Sequence, residues 1–326
     1  MKEIRIHKTK NRAPKIDEMP LPPEVAGLPV IKAEPWFLIH PDVKEGMLEG
    51  PAFDRQNNLY ICVGGPKGNF SKILRITPEK EVTTILDSPT AVPTGIAVHK
   101  NGRLFAASMS GELLIMNPDG SGLTALRQHY EGKMLALNDL VFDKNGNLYF
   151  TDFSGSVNNP VGGVYRLDAS DNYATLHQIA GNLAGPNGIS LSPSGDTLWI
   201  GETIRNAIIR IDLLPNGLAP RPIDGITWPF YSTGGPSGPD SNKVDSAGNL
   251  YQCFIFQGRA LILNKYGVPV VNVIVPGREK GKHLCTTNLA FNPGTDEAYI
   301  TAAGEGGLWI YTFPGLAEGL TLYSHQ

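Results

Sequence analysis

The sequence predicts an all-β protein: a six-bladed β-propeller with four-stranded antiparallel blades around a central channel. Three observations carry this expectation. A hairpin recurs along the chain at a spacing of roughly 40–50 residues. Glycine (37) and proline (26) make up about a fifth of the 326 residues, which favours many short strands joined by turns. The apolar runs between those turns alternate as half-buried strands do.

The hairpins come in order. They read GPAFDRQNNLYICV from Gly50, TGIAVHKNGRLFAAS from Thr94, NDLVFDKNGNLYFTD from Asn138, NGISLSPSGDTLWIGE from Asn187, DSNKVDSAGNLYQCF from Asp240 and NLAFNPGTDEAYITA from Asn288. Each is an apolar run, a tight polar turn and a second apolar run. Asn101-Gly102 and Asn145-Gly146 supply residues that tolerate positive φ. A third strand is expected after each hairpin, at Ser71–Ile76, Glu112–Met116, Gly163–Leu167, Ala207–Ile211, Arg259–Leu263 and Gly307–Tyr311. Four strands in each of six repeats make a propeller. Residues 1–35, rich in proline and charge, are expected to pack on it as an N-terminal extension, or to add an outer strand that closes the ring. Residues 36–326 form the propeller domain.

Composition narrows the function classes. A net charge of −3 with both signs scattered argues against nucleic acid or an anionic membrane as partner. No apolar run is long enough to span a bilayer, and Met1–Lys10 lacks the apolar core of a signal peptide. A cytoplasmic protein is the expectation. The three cysteines, Cys62, Cys253 and Cys285, are few and far apart, as in a protein with reduced thiols.

Aligning the hairpins on Leu59, Leu104, Leu148, Leu198, Leu250 and Ala298 exposes a polar register. Ten residues back stand Glu49, Thr94, Asn138, Asp240 and Asn288; in the fourth repeat, whose turn is one residue longer, the equivalent is Asn187, eleven back. In a propeller the innermost strands line the channel, so these positions meet around the axis. Such residues are also common turn formers ahead of strands, but carboxylates and amides in matched register form a set of hard oxygen donors. That set suits Ca²⁺ or Mg²⁺ rather than zinc, since no histidine or cysteine joins it. Other motifs fall away. Asp143-Lys-Asn145-Gly-Asn147 reads as a hairpin turn rather than an EF-hand, and neither a Walker loop nor a Gly-x-Ser-x-Gly elbow occurs. His283, beside Arg278 and Lys282, could reach a substrate at the channel mouth or be an ordinary loop residue.

These residues also carry a resemblance. From about Glu34 to the C-terminus the chain resembles the gluconolactonase and regucalcin-like six-bladed propellers, and within them the bacterial drug-responsive lactonases. The stretches that carry it include LEGPAFDRQNNLY at Leu48, NDLVFDKNGNLYFTDF at Asn138, GPNGISLSPSGDTLWIGET at Gly185 and GPDSNKVDSAGNLY at Gly238. The resemblance implies one catalytic divalent ion, typically Ca²⁺ and in some members Zn²⁺, Mg²⁺ or Mn²⁺. Its ligands would be Glu49, Asn138, Asn187 and Asp240, with Ser241 as a further oxygen donor. The drug-responsive lactonases carry an aspartate where Asn138 stands, so this site would be one charge less negative. Asp139, turned away from its neighbour by strand alternation, is expected to stand behind the ligands.

The expected activity is hydrolysis of a small lactone, with Asp240 as general base or, alternatively, Glu49. Thr94 and Asn288 would hold water or substrate. The loops 155–162, 231–238 and 278–283 and the segment after Cys62 would select it, Tyr231 and His283 among their side chains. A phosphotriesterase using the same metal, or a non-catalytic binding propeller, are the alternatives.

Overall fold

The computed structural model describes residues 19–41, 46–64, 71–220, 228–232 and 234–326, with only the backbone of 228–232. Among them there is no α-helix, only short 3-10 turns. Six sheets stand around one axis as a six-bladed β-propeller. Each blade runs outward from the axis in chain order. The first is Met47–Phe53, Leu59–Gly64, Lys72–Ile76 and Val82–Asp87; the second is Pro93–Val98, Leu104–Ser108, Glu112–Met116 and Thr124–Arg127. The third is Leu137–Phe142, Leu148–Asp152, Gly162–Leu167 and Leu176–Leu183; the fourth is Pro186–Leu191, Thr197–Glu202, Ala207–Asp212 and Trp228–Ser232. Pro239–Val244, Leu250–Phe254, Arg259–Leu263 and Pro269–Ile274 make the fifth. The sixth has Cys285–Phe291, Glu297–Gly304 and Gly307–Pro314, and takes its outer strand, Glu34–His40, from the other end of the chain. Val30–Lys32 adds a fifth, parallel strand to the fifth blade.

Local chemistry builds the hairpins. In three blades the turn is Asp-x-x-x-Asn, at Asp54, Asp143 and Asp245. One carboxylate oxygen accepts the backbone N–H groups two and four residues on, and the other accepts the asparagine amide at 2.7–2.8 Å. The side chain thus satisfies turn donors that no ladder reaches. Both faces of each blade are then covered. Among the described residues six apolar clusters occur, each between two neighbouring blades; one joins Ala52, Tyr60 and Ile73 of the first to Ile96, Leu104 and Met116 of the second.

After Pro314 the chain crosses the turn end of the channel. Ser246 donates to Glu318 O at 2.8 Å, Tyr323 packs on Phe142 and His99, and Arg55 donates to Ser324 O and Gln326 O. Beneath this tail the lower halves of the inner strands enclose a largely apolar cavity of about 110 Å³.

Every inner strand has a register break near its head, between Glu49/Ala52, Pro93/Gly95, Leu137/Leu140, Pro186/Ile189, Pro239/Asn242 and Thr286/Leu289. The ladder lapses where the inner strands converge. Gly188 shows how close they come, since a Cβ there would lie 2.4 Å from Ser241 Cα of the next blade. Gly188→Ala is expected to destabilise the protein by about 3 kcal/mol through overpacking, read as a lower denaturant midpoint with unchanged slope.

Candidate metal centre at the head of the channel

A polar residue stands within each register break. Pairing within each hairpin identifies the equivalent residues, because each follows the partner of the residue four positions past the aligned leucine or, in the sixth blade, past Ala298. Leu48 pairs with Val63, Pro93 with Ser108, Leu137 with Asp152, Pro186 with Glu202, Pro239 with Phe254 and Thr286 with Ala302. The ring is therefore Glu49, Thr94, Asn138, Asn187, Asp240 and, in the sixth blade, Thr287. This corrects the expectation for Asn288. The turn between Phe291 and Ala298 is one residue longer than in the third blade, as it is in the fourth, so Asn288 is the counterpart of Asp139 and Ser241.

Asn288 still belongs to the cluster: its Nδ2 lies 3.5 Å from Glu49 Oε2, and its Oδ1 accepts Leu289 N at 2.8 Å. Asp139 Oδ1 accepts Leu140 N in the same manner at 2.9 Å. Glu49, Asn138, Asn187, Asp240 and Ser241 are all buried. Ser241 Oγ lies 3.4 Å from Asn187 Oδ1. Two hydroxyls stitch the ring to its neighbours: Thr94 Oγ1 donates to Asn138 O at 2.8 Å, and Thr287 Oγ1 donates to Leu48 O. Thr151 Oγ1 donates to Asn187 O at 2.5 Å and accepts Asp139 N.

The electrostatics are unbalanced. Burial raises the Glu49 carboxyl well above its ordinary range, and the charges of Asp240 and Asp139 push it further. Burial likewise raises Asp240, opposed by a hydrogen bond from Asn187 and reinforced by Asp139. Asp240 Oδ1 is buried with no hydrogen-bond partner. Converging carboxylates with an orphaned oxygen and neutral amides around them form a donor set that a hard divalent cation fits. Among the described residues, no group of three His, Cys, Asp or Glu side chains is placed to hold a metal ion.

Sequence reasoning missed Lys243. Its Nζ lies 3.2 Å from Asp139 Oδ2, beneath the ring. The signal was present, since the equivalent positions are Ala52, Ala97, Val141, Ser190 and Ala290, and a lone lysine among them needs an anion. Lys243→Met is expected to destabilise the fold by about 3 kcal/mol, because it strands the Asp139 carboxylate. The double variant with Asp139→Asn should recover most of that loss in urea titrations.

His283 bonds to its own blade and loop: its Nδ1 lies 2.8 Å from Tyr311 OH and 3.2 Å from Pro276 O. Arg278 is buried and donates to Gln257 O, Met19 O and Pro20 O, which makes it a clasp for the N-terminal segment. The Tyr231 backbone pairs with Ile208, while its side chain, residue 233 and residues 65–70 lie outside the described residues. The three cysteines are free, and burial raises each thiol.

Comparison with known proteins places the chain in a family. A match to the SMP-30/Gluconolactonase/LRE-like region spans residues 49–304. The chain belongs to the SMP-30/gluconolactonase/LRE-like family. Within this family it is 38% identical over 315 residues to lactonase drp35 of Staphylococcus saprophyticus, covering 93% of each chain. It is also 38% identical over 309 residues to lactonase drp35 of Staphylococcus aureus, covering 92% of each. Among solved structures, a gluconolactonase from Xanthomonas campestris superposes with TM-score 0.67 at 22% identity, over 86% of this chain and 97% of that one. A calcium-binding regucalcin from Agrobacterium tumefaciens superposes with TM-score 0.69 at 20% identity, over 89% and 98%. At those identities the superpositions speak for the fold. No described helix is long and apolar enough to cross a membrane.

Proposed function

We propose that this chain is a lactonase that opens the ring ester of a small lactone with the help of one divalent cation, Ca²⁺ by the chemistry of its donors. Glu49, Asn138, Asn187 and Asp240 would hold the ion, with Ser241 as a further oxygen. The observation that carries the reading is the pair of buried carboxylates beside amides at one level of the channel, with Asp240 Oδ1 unpartnered. The curated relatives named lactonases, matched over nearly the whole chain, supply the reaction class.

When bound, the ion supplies Lewis acidity for the ester carbonyl and its developing oxyanion. The chain's own residues do the rest. Asp240 takes the proton of the attacking water on its carboxylate as the new C–O bond forms, then returns it to the ring oxygen as the ester bond breaks, leaving a hydroxy acid. Glu49 is the other carboxylate within the ring that could serve. Asp139, tied to Lys243, keeps negative charge behind Asn138 and favours a cation in front of it. Burial of the ring excludes bulk water and strengthens each of these interactions.

The test is turnover of a panel of sugar and aromatic lactones before and after chelation, restoring each divalent ion in turn. Activity that vanishes on chelation and returns with one cation supports the reading and names the ion. A metal-loaded protein that cleaves phosphotriesters but no lactone would replace the proposed substrate class, and one that cleaves neither would point to a binding role.

A further inference from the structure

At the head of the second strand, three consecutive blades carry a hydrogen-bond acceptor in the same register. These are Ser108, Asp152 and Glu202, each paired with the residue directly before a ring position. Each takes a backbone N–H from the segment leading into its own inner strand. Val92 N donates to Ser108 Oγ at 2.9 Å, Ala136 N to Asp152 Oδ1 at 2.7 Å and Ala184 N to Glu202 Oε1 at 2.7 Å. Those N–H groups lie just upstream of Thr94, Asn138 and Asn187.

The first, fifth and sixth blades have Val63, Phe254 and Ala302 at this register, so the fold does not require a polar group there. Yet the third and fourth blades bury a carboxylate, with Asp152 and Glu202 each 2% exposed. Burying a carboxylate is costly unless it is well bonded. Both are reinforced. Ser154 Oγ donates to Asp152 Oδ1 at 2.6 Å, and Arg205, which also donates to Asn182 O, donates to Glu202 Oε1 at 3.1 Å. The two blades with this arrangement are the two that present Asn138 and Asn187.

The register breaks supply the reason. Asn138 and Asn187 lie between Leu137/Leu140 and Pro186/Ile189, where ladder hydrogen bonds do not fix the backbone. Downstream the ladder resumes at Leu140 and Ile189; upstream, the charge-assisted bonds from Ala136 N and Ala184 N tie the entering segment to the second strand, beside backbone bonds from Phe153 N to Ala136 O and from Thr203 N to Gly185 O. We propose that Asp152 and Glu202 are positioning residues that hold Asn138 and Asn187 at the depth a divalent cation requires. This rests on the metal reading given under Proposed function, and it assigns to two side chains outside the ring a share of the cation affinity.

Asp152→Val and Glu202→Val place at each site the residue the first blade already carries there. Asp152→Asn and Glu202→Gln keep an acceptor oxygen in the same place. Titration of the metal-free, folded proteins with Ca²⁺ in a calorimeter should show the valine variants weakened about tenfold each, and the amide variants within about twofold of the parent. Should a valine variant fail to fold, Asp152→Ala and Glu202→Ala, which copy Ala302 of the sixth blade, carry the same comparison. Valine or alanine variants that melt earlier but bind Ca²⁺ as the parent does would overturn the proposal and leave the latches a purely structural role. A parent protein that binds no divalent cation would instead overturn the metal reading, and this inference with it.

Discussion

Asp240→Asn is expected to lower lactone hydrolysis by about 10²–10⁴-fold at saturating metal, the range over which a positioned general base acts. The substitution is nearly isosteric, and Asp240 is 1% exposed with its Oδ1 unpartnered, so little packing is disturbed. What disappears is the ability to accept a proton, together with one negative donor. The metal-free variant is expected to melt no earlier than the parent, because one of two mutually repelling buried carboxylates has gone. This separates chemistry from folding: the measurement is kcat at a metal concentration shown by titration to saturate the variant. Full turnover under that condition would transfer the role of base to Glu49, and Glu49→Gln would then show the loss.

The second large effect is on stability. Glu49 and Asp240 both have folded-state values raised by burial, that of Asp240 pushed up to about 8, while in the unfolded chain carboxylates titrate near about 4. Between those values the metal-free fold binds protons that the unfolded chain has released. Its stability therefore falls as pH rises across that window. A bound cation favours the ionised carboxylates and opposes the fall. Adding Ca²⁺ at 100 to 1,000 times its dissociation constant should stabilise the protein by about 2.7–4.1 kcal/mol. At one fixed Ca²⁺ concentration, the gain in melting temperature is expected to be smaller at pH 5 than at pH 8. A gain that is equal at both values would mean that the ion does not replace protons on Glu49 and Asp240.

Much of this architecture is legible in the sequence because it is repeated. A propeller blade is a local unit, and its turn chemistry shows in Asp54, Asp143 and Asp245. The expected third strands fall at Lys72–Ile76, Glu112–Met116, Gly162–Leu167, Ala207–Asp212, Arg259–Leu263 and Gly307–Pro314. The ring can be counted because leucine marks the second strand. Counting fails in the sixth blade, where the Asn292–Glu297 turn is longer and Ala298 replaces the leucine, so the count lands on Asn288 instead of Thr287. The partner in a contact between distant segments leaves no local trace, even where one side of it stands out as Lys243 does. Asp139–Lys243 spans 104 residues, and Val30–Lys32 reads as part of an irregular extension until Pro269–Ile274 is beside it. Ser108 differs in kind from the carboxylates Asp152 and Glu202, and only a shared pairing position relates the three.

The outer strand of the last blade has a consequence for biosynthesis. Glu34–His40 leaves the ribosome long before its partner Gly307–Pro314. At about 5–20 residues per second, the early strand waits on the order of 10–50 s for the edge it will complete. During that interval it must not pair with a neighbouring blade or a second nascent chain. Pro35, which has no N–H to offer a ladder, and the charge of Glu34 at its first residue suit a strand that has to stay single. The sixth blade closes only once Gly307–Pro314 has been made, so a strand made early waits until then to find its place.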